Sequence, residues 1–482
     1  MVPPSDHECE WKEYALTLQK QLEDVAEKQR LQQEQLEALQ KKIFGKSSEK
    51  MPPMEREARR GEPPAPGSSL AKRRANAELR AAKIKTEAVD VKVTAADRRC
   101  PHCNGEDFAT VGDGKTSSVT EYVQGYFRKR IFCRETLACS RGQHIITAPV
   151  PDKVFDRTQY GPGFMAHLIV GKCCDSIPLY RMEQQFGRLG IPMARSTMTD
   201  LFHRVGELVA PIAARIVALI AASPIVLADE TPLPVQDSRK SPYLWTFVAG
   251  DLIGYRFSMT RSGQTPKAVL GGTTGTLVVD MYTGYNAITG VDGRERAGCL
   301  AHARRKFFKA LASAPDAQIA LDFIREIYVL EREVKVARAT GGAEHARVRW
   351  EQSLPMMDKL YVWLNQQQPN HPPKSVMGNA ISYSLKNWQA LTRFITNTGI
   401  PPDNNRSERA LRVVALGRKN YLFAGHKEAG ENLAALYTVV ATCVANAVDP
   451  LAYLTDVLTR LDMTPADRVD QLLPQNWASL PP

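Results

Sequence analysis

Two short apolar runs, Pro224-Ile-Val-Leu-Ala-Asp229 and Thr276-Leu-Val-Val-Asp280, each close on an aspartate. Runs of this length, rich in β-branched residues, read as strands buried on both faces. Between them Tyr243 to Gly250 and Tyr255 to Met259 alternate as strands around a turn at Gly250-Asp251, and Pro266 to Leu270 reads as a short helix. Gly298 to Ala301 is expected as a fifth strand, feeding a helix from His302 to Leu311. Residues 312–395 read as a helical, polar insertion, Asn404 to Ala415 as a further helix, and Leu433 to Leu461 as closing helices.

Three strands, a helix, a strand, a helix and a strand is the order of a ribonuclease-H-like mixed sheet. In that order the first and fourth strands are neighbours and parallel, so Asp229 and Asp280 converge. Hard cations take oxygen ligands, and a pair of ions roughly 4 Å apart activates a nucleophile and stabilises the leaving oxygen. Glu408, in Asp403-Asn-Asn-Arg-Ser-Glu408-Arg-Ala-Leu-Arg412, is the candidate third acid, with arginines around it for phosphate. Each acid also has a plain reading: an aspartate at a strand end caps a turn, and Glu408, three residues after Asn405, closes a capping box. His302, Arg304 and Arg305 supply a basic flank, as do Arg409 and Arg412.

Upstream, residues 8–44 read as one helix. Ala15, Leu22, Gln29, Leu36 and Ile43 fall on one line and Trp11, Leu18, Val25, Gln32 and Leu39 on the next, a heptad seam expected to self-associate. Residues 45–99 form a Pro- and Gly-punctuated linker; from Lys46 to Arg99 there are 14 basic against 8 acidic residues, including Lys72-Arg73-Arg74. A zinc-binding-like segment spans 100–150. Cys100-Pro-His-Cys103 is a zinc knuckle by spacing, and Cys139 with His144 supplies the second pair, with Cys133 as the alternate ligand. In 158–222, all helical, Pro178 to Leu189, a break at Gly190-Ile-Pro192 and a helix from Ser196 through Val205 have a helix-turn-helix outline, equally that of an ordinary helical hairpin. The catalytic region is placed at 223–440 and a helical tail at 441–482.

The charge balance agrees with a polyanionic partner: 63 Lys and Arg exceed 52 Asp and Glu. Nine cysteines without a secretory signal suit a reducing compartment. The most apolar stretch, Leu208 to Ala228, is interrupted by Pro211, Arg215 and Pro224, so a membrane span is not expected.

Ala228-Asp-Glu-Thr231, Asp280-Met-Tyr-Thr-Gly-Tyr285-Asn286, Gly298-Cys-Leu-Ala-His302-Ala-Arg-Arg-Lys-Phe, the Glu408 segment and Arg418-Lys-Asn-Tyr-Leu-Phe-Ala-Gly425 together resemble the transposases of the insertion-sequence 66 family. The likeness extends to Phe44-Gly-Lys-Ser-Ser-Glu-Lys50, Arg99-Cys-Pro-His-Cys103 and Pro178-Leu-Tyr-Arg181, and covers about residues 10 to 460. It implies a DDE transposase of the bacterial cytoplasm and nucleoid, acting on terminal inverted repeats and target DNA. Asp229, Asp280 and Glu408 would be its triad, with two Mg²⁺ or Mn²⁺ ions per site and one structural Zn²⁺. A homo-oligomer and two small helper proteins of the same element are implied as well. Two departures stand out: Ser140-Arg141-Gly142 occupies the place of the family's closer second cysteine pair, and Met281 stands where a glycine is common.

Overall fold

The computed structural model describes residues 158–477 except 237–241 and 291, together with helical residues within 14–33 and scattered positions between 127 and 155. The basic linker with Lys72, Arg73 and Arg74, and Cys100, Cys103, Cys139 and His144, lie outside the described residues. Cys133 is described, exposed and free. Strands β1 (Thr136–Ala138) and β2 (Ile145–Thr147) pair antiparallel. In the N-terminal helix Leu18, Leu22 and Val25 of the expected seam are exposed.

Helices α1 (Pro162–Cys173), α2 (Leu179–Arg188) and α3 (Arg195–Ala222) precede the sheet, and the short α4 (Gln264–Leu270) lies between its third and fourth strands in the sequence. Gly190, at φ 79°, turns the chain between α2 and α3. α3 does not stop near Val205 but runs on through Pro211, because its apolar stripe from Met198 to Ile220 continues unbroken into the core. By length and composition α3 is apolar enough to cross a membrane. That stripe is instead buried within the protein, while Arg215 on its exposed side is bidentate to Asp470 at 2.6 and 2.7 Å.

The sheet is five-stranded and mixed: β3 (Ile225–Pro232), β4 (Tyr243–Ala249), β5 (Leu252–Ser258), β6 (Thr276–Val278) and β7 (Glu295–Ala297) lie in the order β5-β4-β3-β6-β7. β3 pairs antiparallel with β4 and parallel with β6, so the two aspartate-bearing strands are neighbours as expected. The fifth strand is three residues earlier than its sequence pattern predicts. Glu295 pairs with Thr276 and Ala297 with Val278, whereas Cys299 already caps α5 (Leu300–Ala310).

Alternation along the strands divides the core in two. Val226, Ala228, Leu277 and Val279 join a cluster with α1, α3, α11 (Asn405–Tyr421), α12 (Lys427–Ala445) and α13 (Pro450–Arg460). Leu227 and Val278 face the other way, onto α5 and the insertion helices α6 (Ala317–Val336), α8 (Leu354–Gln367), α9 (Val376–Lys386) and α10 (Trp388–Thr392), while α7 (Ala343–Val348) packs Val348 against Leu330 and Val334 of α6 in a smaller cluster. The insertion is helical as expected but not merely polar, since Ile324, Ile327, Leu360, Leu364 and Ile381 extend this second core. Successive residues point to opposite faces, so Asp229 and Asp280, two beyond Leu227 and Val278, share the α5 face.

Candidate active site

Asp229 lies opposite Thr246 where β3 emerges from the core, and its Oδ1 accepts the amide of Glu230 at 2.9 Å. Burial, then the neighbouring charges of Glu230, Asp280 and Glu408, push its carboxyl up to about 7, outweighing that hydrogen bond. Asp280, just past β6, accepts the amide of Tyr282 at 2.9 Å and so closes a tight turn into the 3₁₀ segment Thr283–Ile288. Met281 does not crowd that turn. Its side chain extends over Gly298, where a Cβ would come within 2.7 Å of the Met281 methyl.

Glu408 lies in the first turn of α11. The helix begins after Asn404, which makes no side-chain cap, so the capping-box reading does not hold. The Glu408 carboxylate turns instead to α5: Arg305 Nη2 is 3.4 Å from both its oxygens, and His302 Nδ1 is 3.8 Å from Oε1. Burial and Arg305 push the His302 imidazole toward neutrality, against the pull of Glu408 and Asp280. Its buried Nδ1 has no hydrogen-bond partner in the described structure. Arg304 lies near the Phe308 ring on the same helix, and Arg409 and Arg412 are exposed on α11.

Packing brings to this site several groups that the sequence analysis did not single out as site residues. Glu230, its side chain 2% exposed, accepts Tyr285 Oη at 2.8 Å and Arg261 at 2.6 and 2.9 Å. Burial raises its carboxyl despite those bonds. Arg261 also lies over the Tyr282 ring, 4.0 Å from its centroid. Asn404 Nδ2 donates to the carbonyl of Ala228 at 2.7 Å, and its backbone amide donates to Cys299 Sγ at 3.2 Å. Their sequence signal is their place in the same motifs as the acids: Glu230 adjoins Asp229, Tyr282 and Tyr285 follow Asp280, and Asn404 lies in the Glu408 segment, whereas Arg261 stands outside all of these motifs.

Three carboxylates at the end of two adjacent strands and the start of a helix are an all-oxygen donor set for hard cations. The raised Asp229 marks an excess of buried negative charge, which such a cation would relieve. Among the described residues no group of three or more His, Cys, Asp and Glu side chains is drawn into metal-holding spacing, and Glu408 is engaged by Arg305 and His302.

The profile described as "Transposase IS66 family" matches residues 157–432, more than half of the chain, and that of the "IS66 C-terminal element" matches 438–475. The chain belongs to the IS66 transposase family. It is also similar to two uncharacterized proteins of Sinorhizobium fredii (strain NBRC 101917 / NGR234). To y4jD it is 31% identical over 412 residues, 80% of each chain. To y4hP it is 30% identical over 407 residues, 78% of this chain and 73% of that one. Transposition is accordingly the class of function to which this IS66 chain belongs, with DNA as its partner.

Proposed function

We propose that this IS66 chain is a DDE-type transposase that binds the terminal inverted repeats of its element, cuts there and joins the freed 3′ hydroxyl to target DNA. Asp229, Asp280 and Glu408 are its triad, and the mixed sheet is a ribonuclease-H-like core. The observation that carries this reading is the parallel pairing of β3 with β6, which sets Asp229 and Asp280 at neighbouring strand ends, with Glu408 in the first turn of α11 among the charges that act on Asp229. These oxygens would hold two Mg²⁺ or Mn²⁺ ions, which when bound activate the attacking oxygen and neutralise the leaving one.

The chain's own residues then have separate tasks. Asp229, opposite Thr246 of β4 on a strand that also pairs with β6, anchors the site. Arg305 holds the Glu408 carboxylate and, with His302, faces the strand to be cut. Arg304, Arg409 and Arg412 contact phosphates, as do Lys72, Arg73 and Arg74 of the linker. The segment 100–150 binds one structural Zn²⁺ through Cys100, Cys103, Cys139 and His144, with Cys133 as alternate, and with residues 158–222 it recognises the ends. Both ends must be held together, so the protein acts as a homo-oligomer through residues 8–44, aided by two small helper proteins of the element, in the bacterial cytoplasm.

The test is strand transfer with purified protein, a pre-cut terminal repeat, supercoiled target and Mg²⁺. Wild type is expected to give joined product, and Asp229→Asn, Asp280→Asn and Glu408→Gln none. Joining that survives all three substitutions would sink the triad. Hydrolysis without joining, even with the helpers added, would make the chain a nuclease only.

A further inference from the structure

The helix that carries Glu408 ends in a strained turn. Past Tyr421 the amide of Phe423 donates to the carbonyl of Tyr421 at 2.8 Å, across Leu422 at φ 67° and ψ −48°. This is a three-residue turn of the positive-φ kind, rare and costly for a bulky side chain. It is held from outside. Arg418 Nη1 donates to the carbonyl of Pro232, Ala424 N to that of Pro234 at 2.9 Å, and Gln236 N to that of Ala424 at 3.1 Å. Residues 233–236 directly follow the strand of Asp229, which ends at Pro232, so the strained turn is pinned to the end of that strand. Its result is to present Leu422, 64% exposed, and Phe423, 43% exposed, to solvent.

The pair continues a stripe. Along α11, Arg409, Arg412, Leu416 and Lys419 are all exposed and spaced by three, four and three residues, which places them on one face leading to Phe423. No carboxylate among the described residues pairs with Arg409, Arg412 or Lys419. Unpaired cations in file suit a line of phosphates, and an apolar pair at the end of the file suits what lies between two phosphate lines, the flat faces of stacked bases. Wedges of Leu and Phe inserted at base steps partly unstack them.

We infer that α11 tracks one strand of the element's end by Arg409, Arg412 and Lys419, and that Leu422 and Phe423 form a wedge that opens a base step there. The inference rests on the transposase reading above. Fourteen residues at about 1.5 Å each separate Leu422 from Glu408, so the opened step lies about 20 Å, or about six base-pair rises, from the cut.

The experiment uses the full chain and a duplex of the element's terminal repeat with 2-aminopurine placed singly at successive positions across its first ten or so base pairs. Wild type is expected to raise the fluorescence several-fold at one step near the sixth. Phe423→Ala should lose the rise and bind about tenfold more weakly, whereas Phe423→Trp should keep both. Lys419→Gln should weaken binding and reduce the salt slope by about one. Leu422→Gly should melt at a higher temperature, its strain relieved, and still give a smaller rise. A rise unchanged in Phe423→Ala overturns the wedge. So does a wild-type complex with no rise at any step, the result expected if the pair docks a second protein. Wild type that binds the repeat no better than a scrambled duplex sinks the transposase reading itself, and the wedge with it.

Discussion

The side-chain amide of Asn404 donates to the backbone carbonyl of Ala228 at 2.7 Å, joining the residue before Asp229 to the residue that opens the helix of Glu408. Asn404 is 1% exposed, its own carbonyl accepts Ser407 Oγ at 2.9 Å and the amide of Glu408 at 3.2 Å, and its backbone amide reaches Cys299. One side chain therefore registers a strand-borne carboxylate against a helix-borne one. Asn404→Ala is expected to destabilise the protein by about 1–3 kcal/mol, through the orphaned Ala228 carbonyl. Strand transfer should fall by about 10- to 100-fold, since small misplacements of reacting groups are costly, with affinity for the repeat unchanged. Asn404→Asp, which keeps the shape and loses the donor, should behave alike. Loss of affinity equal to the loss of joining would assign Asn404 a general structural part instead.

At Asp229 stability and the proposed chemistry oppose each other. Its charge is buried beside Glu230, with Asp280 and Glu408 adding to the repulsion. Asp229→Asn keeps the shape and removes the charge, so in EDTA the variant should unfold about 2–6 °C above wild type. Mg²⁺ should raise the wild-type midpoint and leave that of Asp229→Asn nearly in place. Differential scanning fluorimetry with and without Mg²⁺ decides it; equal Mg²⁺ shifts in the two proteins would remove Asp229 from the cation site.

Most of the sheet was legible because β3 and β6 are enclosed on both faces and read as uninterrupted apolar runs. The pairing of β3 with β6 followed from element order, and with it the convergence of Asp229 and Asp280. β7 was not legible: Glu295-Arg-Ala297 carries an exposed glutamate and no apolar run, and it is a strand only because Gly275 and β6 supply its partners. α11 runs to Tyr421, past its expected end at Ala415: Gly417 lies inside the helix, where a Cβ would come within 2.6 Å of the Tyr421 ring. Buried arginines were hidden altogether. Arg294 is wholly buried, donating to Thr273, Thr276, Ala221 and Ser223, yet in sequence it reads as one more solvated charge.

Met281 and Gly298 form a matched pair. A Cβ on Gly298 would lie 2.7 Å from the Met281 methyl, 2.9 Å from Leu391 Cδ2 and 3.2 Å from the Leu391 backbone nitrogen. Gly298→Ala should therefore destabilise by about 1–3 kcal/mol, as overpacking does. Adding Met281→Ala should recover part of this and not all, because the Leu391 backbone cannot yield as a methionine end can. A double-mutant cycle in urea measures the coupling; strict additivity would mean that Met281 is not what fills the space over Gly298.

The insertion returns to the candidate site through a buried guanidinium. Arg349, 1% exposed, is bidentate to Glu331 at 2.7 and 2.9 Å and donates to the carbonyls of Phe394, Asn397 and Ile400, the stretch that leads into Asp403 and α11. Removing one partner of such a pair leaves the other buried and unpaired, so Arg349→Met is expected to cost about 3–5 kcal/mol. Burial raises the Glu331 carboxyl, but the bonds from Arg349 and His345 outweigh it and hold the group below its ordinary 4.5. A lowered folded value means that this contribution is full above the unfolded value and is lost as pH falls through the folded one. Thermal midpoints measured from pH 7 to pH 3 should thus fall more steeply for wild type than for Glu331→Gln on the acid side of 4.5. Parallel acid limbs in the two proteins would show that Glu331 is not held ionised by Arg349.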